Sequence, residues 1–246
     1  MKIIKFISPS LVLLFFLTGC NTFYSAQSVQ YKDYRITPGQ KADSSFIYLL
    51  KPYADSLNLT MNEVIAEVGI TIKKDRPEGA LGNLMADAYL HMTEQKFNTA
   101  VDVAFMNHGG IRLNELTPGP LTRGKVFELM PFDNLLFLQK IKGDVFQEYL
   151  DYVAAGGGAA VSGLSFEISN KKAINVKIKG KPIDKEKWYV VCNSDYVITG
   201  TPLLRAIPVS NINYLQRDAL IDYFKQLGRE GKKITAQTEN RVVNVK

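Results

Sequence analysis

The chain has 246 residues, with 30 lysines and arginines against 24 aspartates and glutamates, two histidines and two cysteines. A positive balance this small gives no basis for binding a nucleic acid polymer, which rests on clustered phosphate contacts. The length suits one large domain with a substantial core.

The chain opens MKIIKFISPSLVLLFFLTGC: two lysines, an apolar stretch too short to span a bilayer, then Leu17, Thr18, Gly19 and Cys20. This is the pattern of a secretory signal ending in a lipobox. Residues 1–19 are therefore expected to be a signal peptide, Cys20 the lipidated first residue of the mature chain, and residues 20–42 a polar tether. Acyl chains on Cys20 hold a protein to a membrane without spanning it, which implies a lipoprotein of the cell envelope facing an extracytoplasmic compartment. Without Lys2 and Lys5 of the leader the formal net charge falls from +6 to about +4. Cys192 then has no intrachain partner, and its apolar setting WYVVCN reads as a buried structural thiol.

Folding is expected over residues 43–246. DSSFIYLLKPYADSLNL has helical spacing behind an Asp/Ser start, MNEVIAEVGITI alternates like a strand, and KKDRPEGA is a charged loop. LGNLMADAYLHMTEQ predicts a helix, VDVAFM a strand, LTRGKVFELM a short helix capped by Thr122, PFDNLLFLQKI a turn and strand, and KGDVFQEYLDYVAA a helix. The run GGGAAVSG reads as a flexible break. LSFEI, INVKIKG and KWYVVCNSDYV alternate as strands, NYLQRDALIDYFKQLG predicts the last helix and NRVVNV a final strand. Helices and strands mix without a strict βαβ repeat, so the expected class is α+β, mixed sheets with packed helices.

Few residues carry chemistry. His91 and His108 are separated by a helix and a strand and give no metal-ligand spacing, so no self-contained metal site is expected in this chain. His91, on a predicted helix, reads as a packing or surface residue. The lysine-rich stretch from Lys171 to Lys187 reads as a solvated sheet edge. The turn MNHGGIR is more specific. Gly109 and Gly110 remove Cβ atoms where a backbone could meet a flat or anionic ligand, Asn107 offers an amide, and Arg112 offers a forked cation suited to phosphate or carboxylate. A purely structural turn accounts for the same residue types. Phe132 and Asn134 in MPFDN, an aromatic face and an amide two residues apart, suit a nucleobase if they lie close to that turn.

LGNLMADAY, MNHGGIR, GPLTRGKVFELMPFDNLLFLQKIKGDVFQEYL, KIKGKPIDKEKWYVV and RDALIDYF together resemble, in order and spacing, the C-terminal domain of the 5'-nucleotidase family. The resemblance implies an α+β unit that recognises the nucleoside and helps to hold the phosphate, while an N-terminal metallophosphoesterase domain with two metal ions does the chemistry. Carried over, it implies substrate contacts from Asn107, Arg112, Phe132 and Asn134, with Gly109 and Gly110 giving clearance and Arg76 a further substrate arginine. No DxH, GNHD or GHxH segment of the catalytic domain is present. The resemblance thus implies the recognition half of a split enzyme, with no catalytic residue and no cofactor in this chain and divalent metals in a partner metallophosphoesterase chain. The alternative is a non-catalytic nucleoside- or nucleotide-binding lipoprotein. Where the family reads N-x-Y/F-x-x-x-GGDGF/Y, this chain reads NSDYVITGTPLLRAI. The expectation is therefore that the second aromatic of the base clamp is lost, with Leu203 or Leu204 offering an apolar lid, and that the ribose-binding aspartate is replaced near Ser210.

Overall fold

The computed structural model describes residues 28–35, 37, 39 and 41–245, without the side chains of residues 211 and 212. The expected signal peptide, the lipidation site Cys20 and the first part of the tether lie outside the described residues. Among the described residues no helix is long and apolar enough to cross a membrane. The chain divides into two units, Met1–Ile47 and Tyr48–Lys246. In the first, the described residues ahead of Ser44 form neither helix nor strand and are exposed. Helix α1 (Ser44–Met61) starts behind Asp43, whose carboxylate accepts from the amide of Ser45 at 2.8 Å, and it has no buried residue.

The second unit continues with β1 (Val64–Val68), β2 (Ile72–Lys73), α2 (Ala80–Phe97), β3 (Val103–Met106), β4 (Glu115–Leu116), β5 (Gly119–Thr122) and α3 (Arg123–Leu129). Next come β6 (Leu135–Lys142), α4 (Gly143–Ala155), β7 (Ala160–Ser162), β8 (Leu164–Ser169), β9 (Lys172–Ile178), β10 (Lys181–Pro182) and β11 (Trp188–Ser194). The chain ends with α5 (Asp195–Gly200), α6 (Pro202–Arg205), β12 (Val209–Leu215), α7 (Gln216–Arg229) and β13 (Val242–Asn244). The α+β class and most of the expected elements are present. Thr122 caps α3 as its sequence implies, its hydroxyl accepting from the amide of Lys125. NYL belongs to β12 rather than to the last helix, and the short strand β7 and the helices α5 and α6 add to the expected elements.

Beside the two-stranded pairs β1-β5 and β2-β4, two larger sheets carry the unit. One has the order β12-β6-β11-β3-β7, the other β10-β9-β8-β13. Strand β3 shows why the first is a central layer: all four of its residues are buried. Ala104 and Met106 face a core shared with α2 and α7, while Val103 and Phe105 face a second core shared with α4 and the four-stranded sheet. A strand covered on both faces needs an unbroken apolar run rather than alternation, and VAFM supplies it. A tight junction at a glycine joins the layers. Gly163, between β7 and β8, has φ +72°, and a Cβ there would stand 2.1 Å from the carbonyl oxygen of Asp102.

Cys192 is fully buried in the first core. Burial pushes its thiol up to about 12, although the thiol hydrogen-bonds Thr93. A thiol held neutral and out of solvent is inert. In the native protein Cys192 should therefore not react with a maleimide at neutral pH over hours, and should react within minutes in denaturant. Rapid native labelling, read by mass spectrometry, would contradict the burial.

Candidate functional site

Strands β3 and β11 are neighbours and parallel, with Val103 opposite Val191 and Ala104 opposite Cys192. Their carboxyl ends therefore open on the same edge of the sheet, the place where open sheets form ligand crevices. Beyond β3, Asn107 leads into one turn of 3-10 helix, His108–Gly110. Beyond β11, Ser194 caps α5 by accepting from the amide of Val197. A cleft of about 760 Å³ lies between these two exits, closed on a third side by the end of α4.

The cleft has an apolar floor and a cationic end. Phe105 and Tyr149, edge to face with centroids 5.1 Å apart, form the floor with Val153. Tyr149 is buried and its hydroxyl donates to the side-chain oxygen of Asn193, with burial holding the phenol well above its usual range. Two exposed aromatic rings line the cleft, Tyr152 from α4 and Tyr196 from α5. Arg76, Asn107, His108 and Gly109 form the polar end.

Arg76 is held by the break after α4. Gly156, Gly157 and Gly158 are an ordered cap rather than a flexible loop: Gly157 and Gly158 adopt φ of +85° and +90°, and the amides of Gly156, Gly157 and Gly158 return to carbonyls of the last helical turn. That is how a helix end satisfies its free carbonyls. The carbonyl of Gly156 accepts from Arg76 Nη1 at 3.1 Å, which aims the guanidinium along the cleft wall.

Lys74 and Arg112 add charge beside Arg76. Lys74, whose Nζ donates to the carbonyl of Ile111 at 2.8 Å, has its pKa lowered by burial and then by the charges of Arg112 and Arg76. His108 is lowered by burial and by Arg76 and Lys74, against a small opposing effect of Asp75. His108 is thus neutral at neutral pH, while three cations gather around the polar end of the cleft, Arg76 in its lining and Lys74 and Arg112 beside Arg76. Such crowding is relieved by an anion, so the arrangement suits a phosphate or carboxylate.

The residues expected to bind substrate fall into two joined groups. Arg76, Asn107 and Gly109 line the cleft. Arg112, Phe132 and Asn134 stand outside that lining; Arg112 donates to the carbonyl of Gly109 at 3.4 Å and lies over the Phe132 ring at 5.8 Å from its centroid. The two glycines differ. A Cβ on Gly109 would have nothing nearer than the Asn107 amide at 4.0 Å, whereas one on Gly110 would press Met106 at 2.7 Å and the Asn107 carboxamide at 3.1 Å. Gly109 gives clearance to the cleft; Gly110 leaves room for Asn107 itself.

Leu204 is no lid, for it is fully buried in the second core, and Leu203 packs against that core from the side. Ser210 pairs with Leu138 in the edge strand β12, outside the cleft lining. A further aromatic face is present in Tyr196, and its place four residues before Gly200 is the signal that sequence reasoning passed over. Tyr152 carries no such signal. His91 contacts Tyr223 edge to face, and among the described residues no three His, Cys, Asp or Glu side chains gather where they could hold a metal ion.

The family model for the 5'-nucleotidase C-terminal domain matches residues 60–206, more than half of the chain. The chain belongs to the 5'-nucleotidase family. Protein UshA of Yersinia enterocolitica is 26% identical over 193 residues, covering 75% of this chain and 35% of that protein. A 5'-nucleotidase of Vibrio vulnificus is 30% identical over 159 residues, 61% of this chain and 28% of that one. Among solved structures, the 5'-nucleotidase precursor from Thermus thermophilus superposes with a TM-score of 0.68 at 27% identity, covering 80% of this chain and 42% of that chain. The chain thus spans about a third of the length of these curated relatives. What is shared with the 5'-nucleotidase family is the C-terminal domain, which contains Asn107, Arg112, Phe132, Asn134 and the whole cleft lining.

Proposed function

We infer that this chain is the substrate-recognition half of a 5'-nucleotidase, a lipoprotein anchored through Cys20 in the cell envelope that works with a separate metallophosphoesterase chain. The observation that carries this reading is the cleft: Arg76 stands at its polar end with Lys74 and Arg112 beside it, and aromatic rings Tyr152 and Tyr196 line it, a pairing that suits a planar base joined to a phosphate. Membership of a family whose relatives are named 5'-nucleotidases gives the pairing its chemical class. In this reading Arg76 and Arg112 hold the phosphate, Asn107 orients it, and Phe132, Asn134 and Tyr196 address the base. The divalent metals that activate water belong to the partner, so this chain contributes position rather than bond cleavage.

The purified chain, supplied with AMP and Mg²⁺ or Mn²⁺, should release no phosphate. It should bind AMP by calorimetry, should sediment with membranes in a manner that Cys20→Ala abolishes, and should confer AMP hydrolysis on a metallophosphoesterase chain that lacks this domain. Phosphate release by the chain alone contradicts the split. Binding without any gain of activity by the partner favours the non-catalytic nucleotide-binding lipoprotein.

A further inference from the structure

The segment that carries Phe132 and Asn134, residues 130–134 between α3 and β6, forms neither helix nor strand, and Pro131, Phe132 and Asp133 are exposed. An irregular exposed segment does not hold an aromatic ring in place by itself. Met130 is buried in the first core and its amide donates to the carbonyl of Val126; beyond it, the fixed points come from the first two residues of α7. The amide of Gln216 donates to the carbonyl of Asn134 at 2.8 Å. The guanidinium of Arg217 donates to the carbonyls of Met130 at 3.5 Å and Phe132 at 3.3 Å, and pairs with the carboxylate of Asp133. The same guanidinium lies over the ring of Phe127 in α3, 4.1 Å from its centroid.

Arg217 stands in the first turn of α7, where the free amides already carry partial positive charge and a cation is disfavoured. It is also only 8% exposed. A buried arginine in an unfavourable place must be compensated by its partners, and every partner named above lies on the Phe132 segment or on the helix that precedes it. A planar fork can hold two carbonyls and a carboxylate while stacking on a ring; a lysine ammonium cannot.

We propose that Arg217 is a positioning residue for ligand recognition: it fixes the segment from Met130 to Asn134 so that Phe132 and Asn134 present their side chains in one arrangement beside Arg112. It acts through Phe132 and Asn134 and does not itself touch ligand. The proposal rests on the reading that Phe132 and Asn134 contact a nucleoside, and the test separates the two.

Full-length protein with Arg217→Lys, and separately Asp133→Asn, is compared with wild type after circular dichroism confirms folding. Chymotrypsin, which cuts after aromatic residues, should leave the Phe132–Asp133 bond of wild type intact and cut it in Arg217→Lys. By calorimetry with adenosine, Arg217→Lys should weaken binding about tenfold, since a displacement of an ångström at a positioned group has effects of at least this size. Asp133→Asn should produce the same changes to a lesser degree, and it keeps the test open should Arg217→Lys not fold. In a Phe132→Ala background, the effect of Arg217→Lys should fall well below tenfold, because one of the two side chains through which it acts is gone. A folded Arg217→Lys protein with a protected bond and unchanged affinity overturns the proposal, as do effects that simply multiply in the double variant. Failure of wild type to bind adenosine overturns the nucleoside reading alone, and digestion still decides whether Arg217 holds the segment.

Discussion

Gly163→Ala should lower the unfolding free energy of the folded unit by about 3–5 kcal/mol and its melting temperature by about 10 °C. Two effects add at this position. At φ +72° the backbone is in the left-handed region, which disfavours any residue with a Cβ by ~1–2 kcal/mol. The new Cβ would also stand 2.1 Å from the carbonyl oxygen of Asp102, a backbone atom that has no rotamer to escape into. Asp102 is pinned in turn, since its amide donates to the carbonyl of Val190 and its carboxylate accepts from the amide of Val190. Relief must come from moving the start of β3 against β11, the two strands whose ends build the cleft. Gly180 is the control, with a similar φ of +79° and nothing within 4 Å of its would-be Cβ. Gly180→Ala should therefore cost only the conformational part, about 1 kcal/mol. Urea unfolding of both variants decides the matter; a Gly163→Ala loss no greater than that of Gly180→Ala would show that the contact with Asp102 is readily relaxed.

The contrast between these two glycines also shows what a sequence can and cannot carry. Helices α4 and α7 are legible because each buries one face and so writes its contacts into a 3.6-residue period, whereas α2 is buried all round from Leu81 to Ala86 and is legible from its length and helix-forming residues. Strand β12 is not, because it is an edge strand with a bulge between Asn211 and Tyr214, and its residues keep no steady alternation. The glycine run after α4 reads as a flexible break and is a cap. Glycine writes only permissiveness into a sequence, and whether a left-handed residue caps a helix or loosens a loop depends on the carbonyls within its reach. The site shows the same division. Asn107, Arg76 and Gly109 share a motif neighbourhood or a family position and can be found from it. Tyr152 reaches the cleft only because α4 ends there, and Lys74 joins the cations only because its Nζ folds back onto the carbonyl of Ile111. Arg217, 85 residues beyond Phe132 in the chain, reads in the sequence as one more charge on an amphipathic helix.

Arg76→Ala should separate the two ends of the cleft. Because Arg76 lies at the polar end and is aimed there by the carbonyl of Gly156, its removal should weaken AMP binding and leave adenosine binding within about threefold of wild type. A charge-assisted hydrogen bond contributes ~1.5–3 kcal/mol, and the exposure of Arg76 places its effect at the lower end, about tenfold in affinity. Raising the salt should shrink the difference between wild type and variant for AMP, since exposed charges are screened. Tyr196→Ala should behave in the opposite sense, reducing affinity for adenosine and AMP alike by about tenfold, because stacking on one ring contributes ~1–3 kcal/mol per base whatever the ester carries. Calorimetry of both ligands on both variants gives four values. If Arg76→Ala reduces adenosine and AMP equally, the cations do not read the phosphate, and the ligand lies in another orientation. If Tyr196→Ala leaves both unchanged, base recognition rests on Phe132 and Asn134 alone, and the tyrosine rings of the cleft serve some other part of the ligand.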